Sequence, residues 1–203
     1  MLDACLRPWI DGPLTAAGRG LAARGVTADG LTLAAFVVGL LAVPALAAGW
    51  FAVALGLILL NRVLDGLDGA VARATRPTDW GAYLDIVCDF AFYGAVPLGF
   101  ALADPAVNAL PAAALLLSFI GTGSTFLAHA ILAERHGLTT RARGRKSMYH
   151  LGGLMEGTET IVFLVAFCLW PTGFPVLAWI MAGLCVVSAM GRVLLTARTF
   201  RGA

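Results

Sequence analysis

An all-α, polytopic membrane protein is the fold class this chain predicts, and three observations carry the prediction. Of its 203 residues 60% are hydrophobic and 13% charged, with a mean hydropathy of +0.86. A soluble domain of that composition could not cover itself with polar surface. Apolar segments of about 20 residues, the length that crosses a bilayer, follow one another from residue 31 to residue 197. The 14 basic residues are confined to a few places along the chain, as the positive-inside rule requires of one side of a membrane.

Residues 1–24 place Leu2, Leu6, Trp9, Ile10, Leu14 and Leu21 at roughly helical spacing, interrupted by Arg7, Asp11, Arg19 and Arg24. This pattern predicts an amphipathic interfacial helix, broken near Gly12–Pro13. It lacks the apolar core and cleavage site of a signal peptide. Six spans are expected next, at 31–49, 50–74, 79–103, 109–133, 153–171 and 174–197, making one membrane-embedded domain over 1–203. Pro44 and Pro97 fall inside spans, where neighbouring helices satisfy the freed backbone groups. Three of the four cysteines (Cys88, Cys168, Cys185) lie in apolar segments and read as small hydrophobes, with no CxxC pair to suggest a disulfide or metal framework. In IGTGST, Gly121 and Gly123 are expected to allow close helix packing. His129, His136 and His150 show no ligand spacing and read as interfacial or loop residues.

The charges orient the spans. Turns near 49–50, 103–108 and 171–174 hold no Lys or Arg. The basic residues lie in the N-terminal segment, around the aspartates of 65–89, in ERHGLTTRARGRK, and after Gly191. That side is the expected cytoplasmic one, and both termini belong to it.

Five aspartates in DGLDGAVARATRPTDWGAYLDIVCD, residues 65–89, stand out against this background. On a helix, residues three and four apart share a face. Asp65, Asp68, Gly69, Ala72 and Arg73 form one stripe; Gly81, Asp85 and Asp89 form a second. Pro77 breaks the helix between them, and Thr78 or Asp79 is the expected N-cap. A hairpin folded there brings Asp65, Asp68, Asp85 and Asp89 together at the membrane edge. Four like charges so placed need cations. Hard divalent ions such as Mg²⁺ or Mn²⁺ take oxygen ligands, and a pair of them suits phosphoryl transfer. Gly69 and Gly81 leave room for a nucleotide, and Arg73 can fork onto a phosphate. The competing reading makes these aspartates helix caps and ion-pair partners for Arg62, Arg73 and Arg76; it suits Asp79 best.

At these residues the chain resembles the CDP-alcohol phosphotransferase family. Asp65-Gly-Leu-Asp68-Gly69-Ala-Val-Ala72-Arg73, seven residues, then Gly81-Ala-Tyr-Leu-Asp85-Ile-Val-Cys-Asp89 is similar to the family pattern DxxDGxxAR followed by GxxxDxxxD. The segment GVTADGLTL resembles the family's lead-in TPNxLT, with Ala28–Asp29 in place of Pro–Asn. The resemblance implies transfer of a phospho-alcohol group from a CDP-linked donor to a hydroxyl, releasing CMP. It implies a two-metal centre on Asp65, Asp68, Asp85 and Asp89, with Asp89 as general base. Asp65, Asp68, Gly69, Ala72, Arg73 and Gly81 would then form the CDP site. A homodimer is the family expectation; nucleic acid is not an expected partner.

Within that resemblance the expected donor is CDP-diacylglycerol, a membrane lipid, with a small polar alcohol as acceptor. The second reading takes a soluble CDP-amino alcohol and diacylglycerol. For the acceptor, Arg141, Arg143, Arg145 and Lys146 would attract a phosphorylated alcohol such as glycerol 3-phosphate or inositol phosphate, or serve as an ordinary positive-inside loop. Glu156 and Glu159, three apart in EGTET, would bind the acceptor or pair with Arg62 or Arg192. Arg192 is an acceptor candidate in its own right. Asn61, four residues before Asp65, is a candidate contact to the nucleotide or a metal-bound water. A transporter using the acids as a cation path would call for broken midplane helices and an inverted repeat, and the sequence has neither. A catalytically dead relative would have lost a motif aspartate, and all are present.

Overall fold

The computed structural model describes residues 2–137, 155 and 157–200, the side chains of residues 2–10 excepted. The candidate residues Arg141, Arg143, Arg145, Lys146, Glu156 and His150 lie outside the described residues, as do the side chains of Leu2, Leu6, Trp9 and Ile10. The described fold is all-helical. Its helices are α1 (Leu2–Ala23), α2 (Ala28–Leu40), α3 (Ala42–Ala47), α4 (Phe51–Ala74), α5 (Asp79–Ala103), α6 (Pro105–Arg135), α7 (Gly157–Leu169) and α8 (Phe174–Phe200).

Among the described residues four helical stretches are long and apolar enough to cross a membrane: Ala28–Ala47, Asp79–Ala103, Pro105–Arg135 and Pro171–Phe200. Helix α4 has the length, 24 residues, but Arg62, Asp65, Asp68 and Arg73 interrupt its apolar run. Helix α7 is described over only 13 residues. The outer faces are apolar: Leu110 and Leu117 are each 70% exposed and Ile120 67%. Large apolar side chains turned outward on helices this hydrophobic are stable in lipid.

Two expectations change. The N-terminal helix runs unbroken through Gly12 and Pro13. Proline removes one intrahelical hydrogen bond, and tertiary contact outweighs that loss. Leu14 packs on Gly66, and a Cβ at Gly18 would lie 2.6 Å from that of Ala70, so α1 is seated on the back of α4. The first span, by contrast, is divided at Leu41 into α2 and α3. Pro44 cannot donate to the Leu40 carbonyl four residues earlier, which is where the ladder parts.

Short connections fold neighbouring helices back on one another. Gly49, at φ +76°, turns α3 into α4; Asp104 caps α6 by accepting from Val107 N at 3.3 Å; a 3₁₀ turn, Pro171–Gly173, joins α7 to α8. These are the three turns without basic residues. Near them lies an aromatic core: Phe100 stacks on Phe174 at 4.5 Å and meets the edge of Phe167 at 5.8 Å. Helix α6 packs along α8 and α5, and α2 along α4. Gly123 does allow close packing, since its Cβ would lie 2.5 Å from Phe90, whereas Gly121 faces open space. His129 is buried, not interfacial, at 1% exposure, with Nδ1 2.7 Å from Thr196 Oγ1. Helix α8 covers it, through Thr196 and the ring of Phe200, which it meets at 5.5 Å.

Candidate active site

The site lies at the opposite end of α4 and α5 from the aromatic core. Thr75 ends α4, its backbone N–H and its hydroxyl each donating to the Val71 carbonyl at 2.9 Å. Pro77 prevents continuation, and Thr78, in extended conformation, caps α5 by accepting from Gly81 N at 3.0 Å. Of the two expected caps, Thr78 is the one used; Asp79 opens the first turn of α5.

This hairpin brings Asp65, Asp68 and Asp85 together, with one carboxylate oxygen from each within 4.8 Å of the others. Asp68 is the most enclosed, at 5% exposure, and is held by a third helix: Thr32 Oγ1 on α2 donates to its Oδ2 at 2.6 Å. Asp89 stands outside this group. Its Oδ1 accepts from Arg62 Nη2 at 2.9 Å, while Arg62 Nη1 is 3.5 Å from Asp65 Oδ2. Arg62, three residues before Asp65, thus lies between Asp65 and Asp89 and pairs with both.

Asn61 does not reach the cluster. It is buried, its amide donating to the Ala35 carbonyl and its oxygen accepting from Arg62 Nε, both at 2.7 Å. Arg192 Nη1 donates to the Thr122 carbonyl at 3.1 Å, joining α8 to α6. Glu159 is half-buried in the first turn of α7. Neither Glu159 nor Arg192 lines the cleft beside the aspartates.

That cleft has a volume of about 430 Å³, within the range of small-ligand sites. Asp68, Gly69, Ala72, Gly81 and Asp85 line it, whereas the motif residues Asp65 and Arg73 do not. Arg73 folds back so that its Nη1 is 3.1 Å from where a Cβ of Gly69 would sit. The threonine caps of α2 and α5, Thr27 and Thr78, both border the cleft, turning the positive ends of two helices toward it, a setting that favours anions. Asp29 and Thr32 also line it, and Asp29 Oδ1 approaches within 3.1 Å of the missing Cβ of Gly81. Thr32 and Arg62 as site residues escape a reading of motif spacing alone. A signal for Thr32 exists: it follows Asp29 by three on an otherwise apolar helix.

Three convergent carboxylates with a hydroxyl donor behind one of them fit a hard divalent cation. Thr32→Val removes the donor to Asp68 while keeping shape. It is expected to weaken Mn²⁺ binding about tenfold or more, read by titrating the purified protein with Mn²⁺ and following free ion by electron paramagnetic resonance.

A family model described as CDP-alcohol phosphatidyltransferase matches residues 25–191. The chain is 52% identical over 193 residues to the inner membrane protein YnjF of Escherichia coli K12, covering 95% of this chain and 94% of that protein. A 56-residue stretch is 54% identical to a bifunctional IPC transferase and DIPP synthase of Aquifex aeolicus, covering 24% of this chain and 13% of that one. The fold is similar to phosphatidylinositol phosphate synthase PgsA1 of Mycobacterium tuberculosis. The structure of PgsA1 with CDP-DAG bound gives a TM-score of 0.72 at 22% identity, covering 91% of this chain and 93% of that one. The structure in complex with manganese and citrate gives 0.69 at 23%, covering 90% and 88%.

Proposed function

The chain belongs to the CDP-alcohol phosphatidyltransferase family and is an integral membrane transferase, and we propose that it moves a phosphatidyl group from CDP-diacylglycerol to the hydroxyl of a small polar alcohol, releasing CMP. The observation that carries this is the conjunction of three aspartates within 4.8 Å of one another with a cleft lined by the motif's Gly69, Ala72 and Gly81. The similarity in fold to PgsA1 with CDP-DAG bound supports the choice of a lipid-linked donor over a soluble CDP-alcohol. A phosphorylated acceptor such as glycerol 3-phosphate or inositol phosphate suits the basic run Arg141–Lys146.

In this reading Asp65, Asp68, Asp85 and Asp89 would hold two divalent ions, Mg²⁺ or Mn²⁺. Such ions, when bound, neutralise phosphate oxygens and stabilise the leaving group. The cleft takes the nucleotide, Gly69 and Gly81 admit it, and Arg73 reaches its phosphates. Asp89 removes the proton from the acceptor hydroxyl. The acceptor oxygen bonds to the phosphatidyl phosphorus as the bond from that phosphorus to the CMP oxygen breaks, and CMP leaves. The chain crosses the membrane six times with termini and cleft on the cytoplasmic side, as its basic residues indicate, and works as a homodimer.

Purified protein with Mg²⁺ or Mn²⁺ and CDP-diacylglycerol is expected to release CMP when the right acceptor is supplied from glycerol 3-phosphate, inositol phosphate, inositol, serine, glycerol and choline. Silence with every acceptor, and with CDP-amino alcohols plus diacylglycerol, would overturn the assignment. Gly81→Ala should raise KM for the donor about tenfold with little change in kcat, since the added methyl meets Asp29 Oδ1 and Thr78 Oγ1, each at 3.1 Å.

A further inference from the structure

Arg76 belongs to neither stripe of the motif, yet it lines the cleft from the turn between α4 and α5. It is the one basic side chain among the described residues that does so; the other charged residues there, Asp29, Asp68 and Asp85, are acidic. Arg76 is exposed, and it forms no hydrogen bond or ion pair with the described residues. The reading that made it an ion-pair partner of the aspartates therefore does not account for it.

The turn that carries Arg76 is fixed on both sides. Thr75 directs its backbone N–H and its hydroxyl to the Val71 carbonyl, each at 2.9 Å. Pro77 restricts the backbone of the residue before it, and Thr78 accepts from Gly81 N at 3.0 Å. The backbone of Arg76 is thus set before a ligand arrives, and only its side chain is left to order.

Its place along the cleft indicates what it would meet. Thr75 follows Asp68 by seven residues at the end of α4, about 10 Å along the helix axis. Arg76 therefore stands at the end of the cleft remote from the carboxylates. With a lipid-linked donor, the acyl chains stay in the membrane and the diphosphate meets the carboxylate end. The nucleoside then lies on the other side of the phosphates, toward this turn. Cytosine offers two adjacent acceptors, O2 and N3, whereas uracil offers an acceptor beside an N3–H donor. A guanidinium has donors only, arranged in a planar fork. It matches the first edge and opposes the second.

We propose that Arg76 is a specificity residue that donates to O2 and N3 of the donor's cytosine and thereby rejects uracil. This rests on the assignment of a CDP-linked donor, and it can be measured by binding alone, with no acceptor and no turnover.

The test is equilibrium binding of CDP, UDP and inorganic pyrophosphate, each with Mg²⁺, to the parent, Arg76→Ala and Arg76→Lys in the same detergent. The parent should bind CDP about tenfold or more tightly than UDP, the discrimination expected of a bidentate contact to a base. In Arg76→Ala the affinity for CDP should fall about tenfold, with UDP and pyrophosphate within about threefold of the parent, so that the preference for cytosine is lost. Arg76→Lys keeps the charge without the fork and should resemble Arg76→Ala. An arginine serving the phosphates would give another pattern: all three ligands weaken together, and lysine restores them. That pattern, or a preference for CDP that survives in Arg76→Ala, would overturn the role of Arg76 and leave the CDP-linked donor standing. A parent that binds CDP and UDP alike would overturn it as well. A parent that binds neither nucleotide would defeat the donor assignment itself, and the proposal with it. Pyrophosphate binding retained by Arg76→Ala shows in the same experiment that the variant is folded.

Discussion

Asp85→Asn is expected to lower turnover on the order of 1000-fold while leaving the protein folded and no less heat-stable. Asp85 is one of the three carboxylates within 4.8 Å, and it lines the cleft together with Gly81, one turn earlier on the same face. The amide has nearly the same shape, so packing of α5 on α2 and α3 is unaffected. Removing one of three converging negative charges relieves repulsion in the ion-free protein and at the same time weakens the cation site. Activity and thermal stability should therefore move apart: CMP release lost, Tm unchanged or raised. Measuring both on one preparation makes the outcome decisive. Turnover within tenfold of the parent would remove Asp85 from the metal site, and a fall in Tm of several degrees would make it a structural residue instead.

Gly39→Val is the largest expected loss of stability. Any Cβ at position 39 would lie 2.5 Å from Phe92 Cδ2 and 2.7 Å from Asn61 Nδ2, and both of those groups are enclosed, so neither can step aside. Overpacking of this kind costs about 1–3 kcal/mol or more. For a chain of about 200 residues that is a fall in Tm of roughly 2–4 °C per kcal/mol. Gly183→Ala is the control, since nothing lies within 4 Å of its missing Cβ, and it should cost nothing or add slightly to helix stability. The Gly39 substitution should also reach the chemistry. Pushing Asn61 frees Arg62 Nε and loosens the fork on Asp89, so any folded fraction should show a reduced kcat. Wild-type-like Tm would mean that α2 and α4 can separate without loss, contrary to the contact described here.

How far the sequence could be read differs sharply between features held by one helix and features held by three. The α4–α5 hairpin was legible because everything that makes it is local: a 3–4 spacing on each side, Pro77 in the turn, and a threonine cap. The same spacing placed Asp65, Asp68 and Asp85 on converging faces. The pairing of Arg62 with Asp89 was harder to see, because it depends on Asn61 and Tyr93 fixing that arginine from α4 and α5. Thr32 on Asp68 lay beyond motif spacing altogether, since no periodicity within α2 states which face of α4 it will meet. The uninterrupted α1 is a similar case. Pro13 read locally is a break, but Leu14 against Gly66 and Gly18 against Ala70 supply contacts that a local reading cannot count. Pro44 shows the reverse: the expectation is that neighbouring helices absorb it within the span, but the helix ladder parts at Leu41 even though α3 is packed against α4 and α5.

The cleft sits where α4 and α5 pass from apolar residues to the aspartates, which on the proposed topology is the margin of the membrane. For the lipid-linked donor proposed above, concentration per litre is then the wrong variable. Such a donor arrives by lateral diffusion in two dimensions, and the enzyme responds to its mole fraction among the surrounding lipids. Diluting it with inert detergent at constant bulk amount should slow the reaction, whereas doubling the volume at constant micelle composition should leave the donor dependence unmoved. The acceptor, arriving from water, should show the opposite behaviour. With such a pair of substrates one protein would read two concentrations on two different scales, and its rate law would carry one term per area and one per volume.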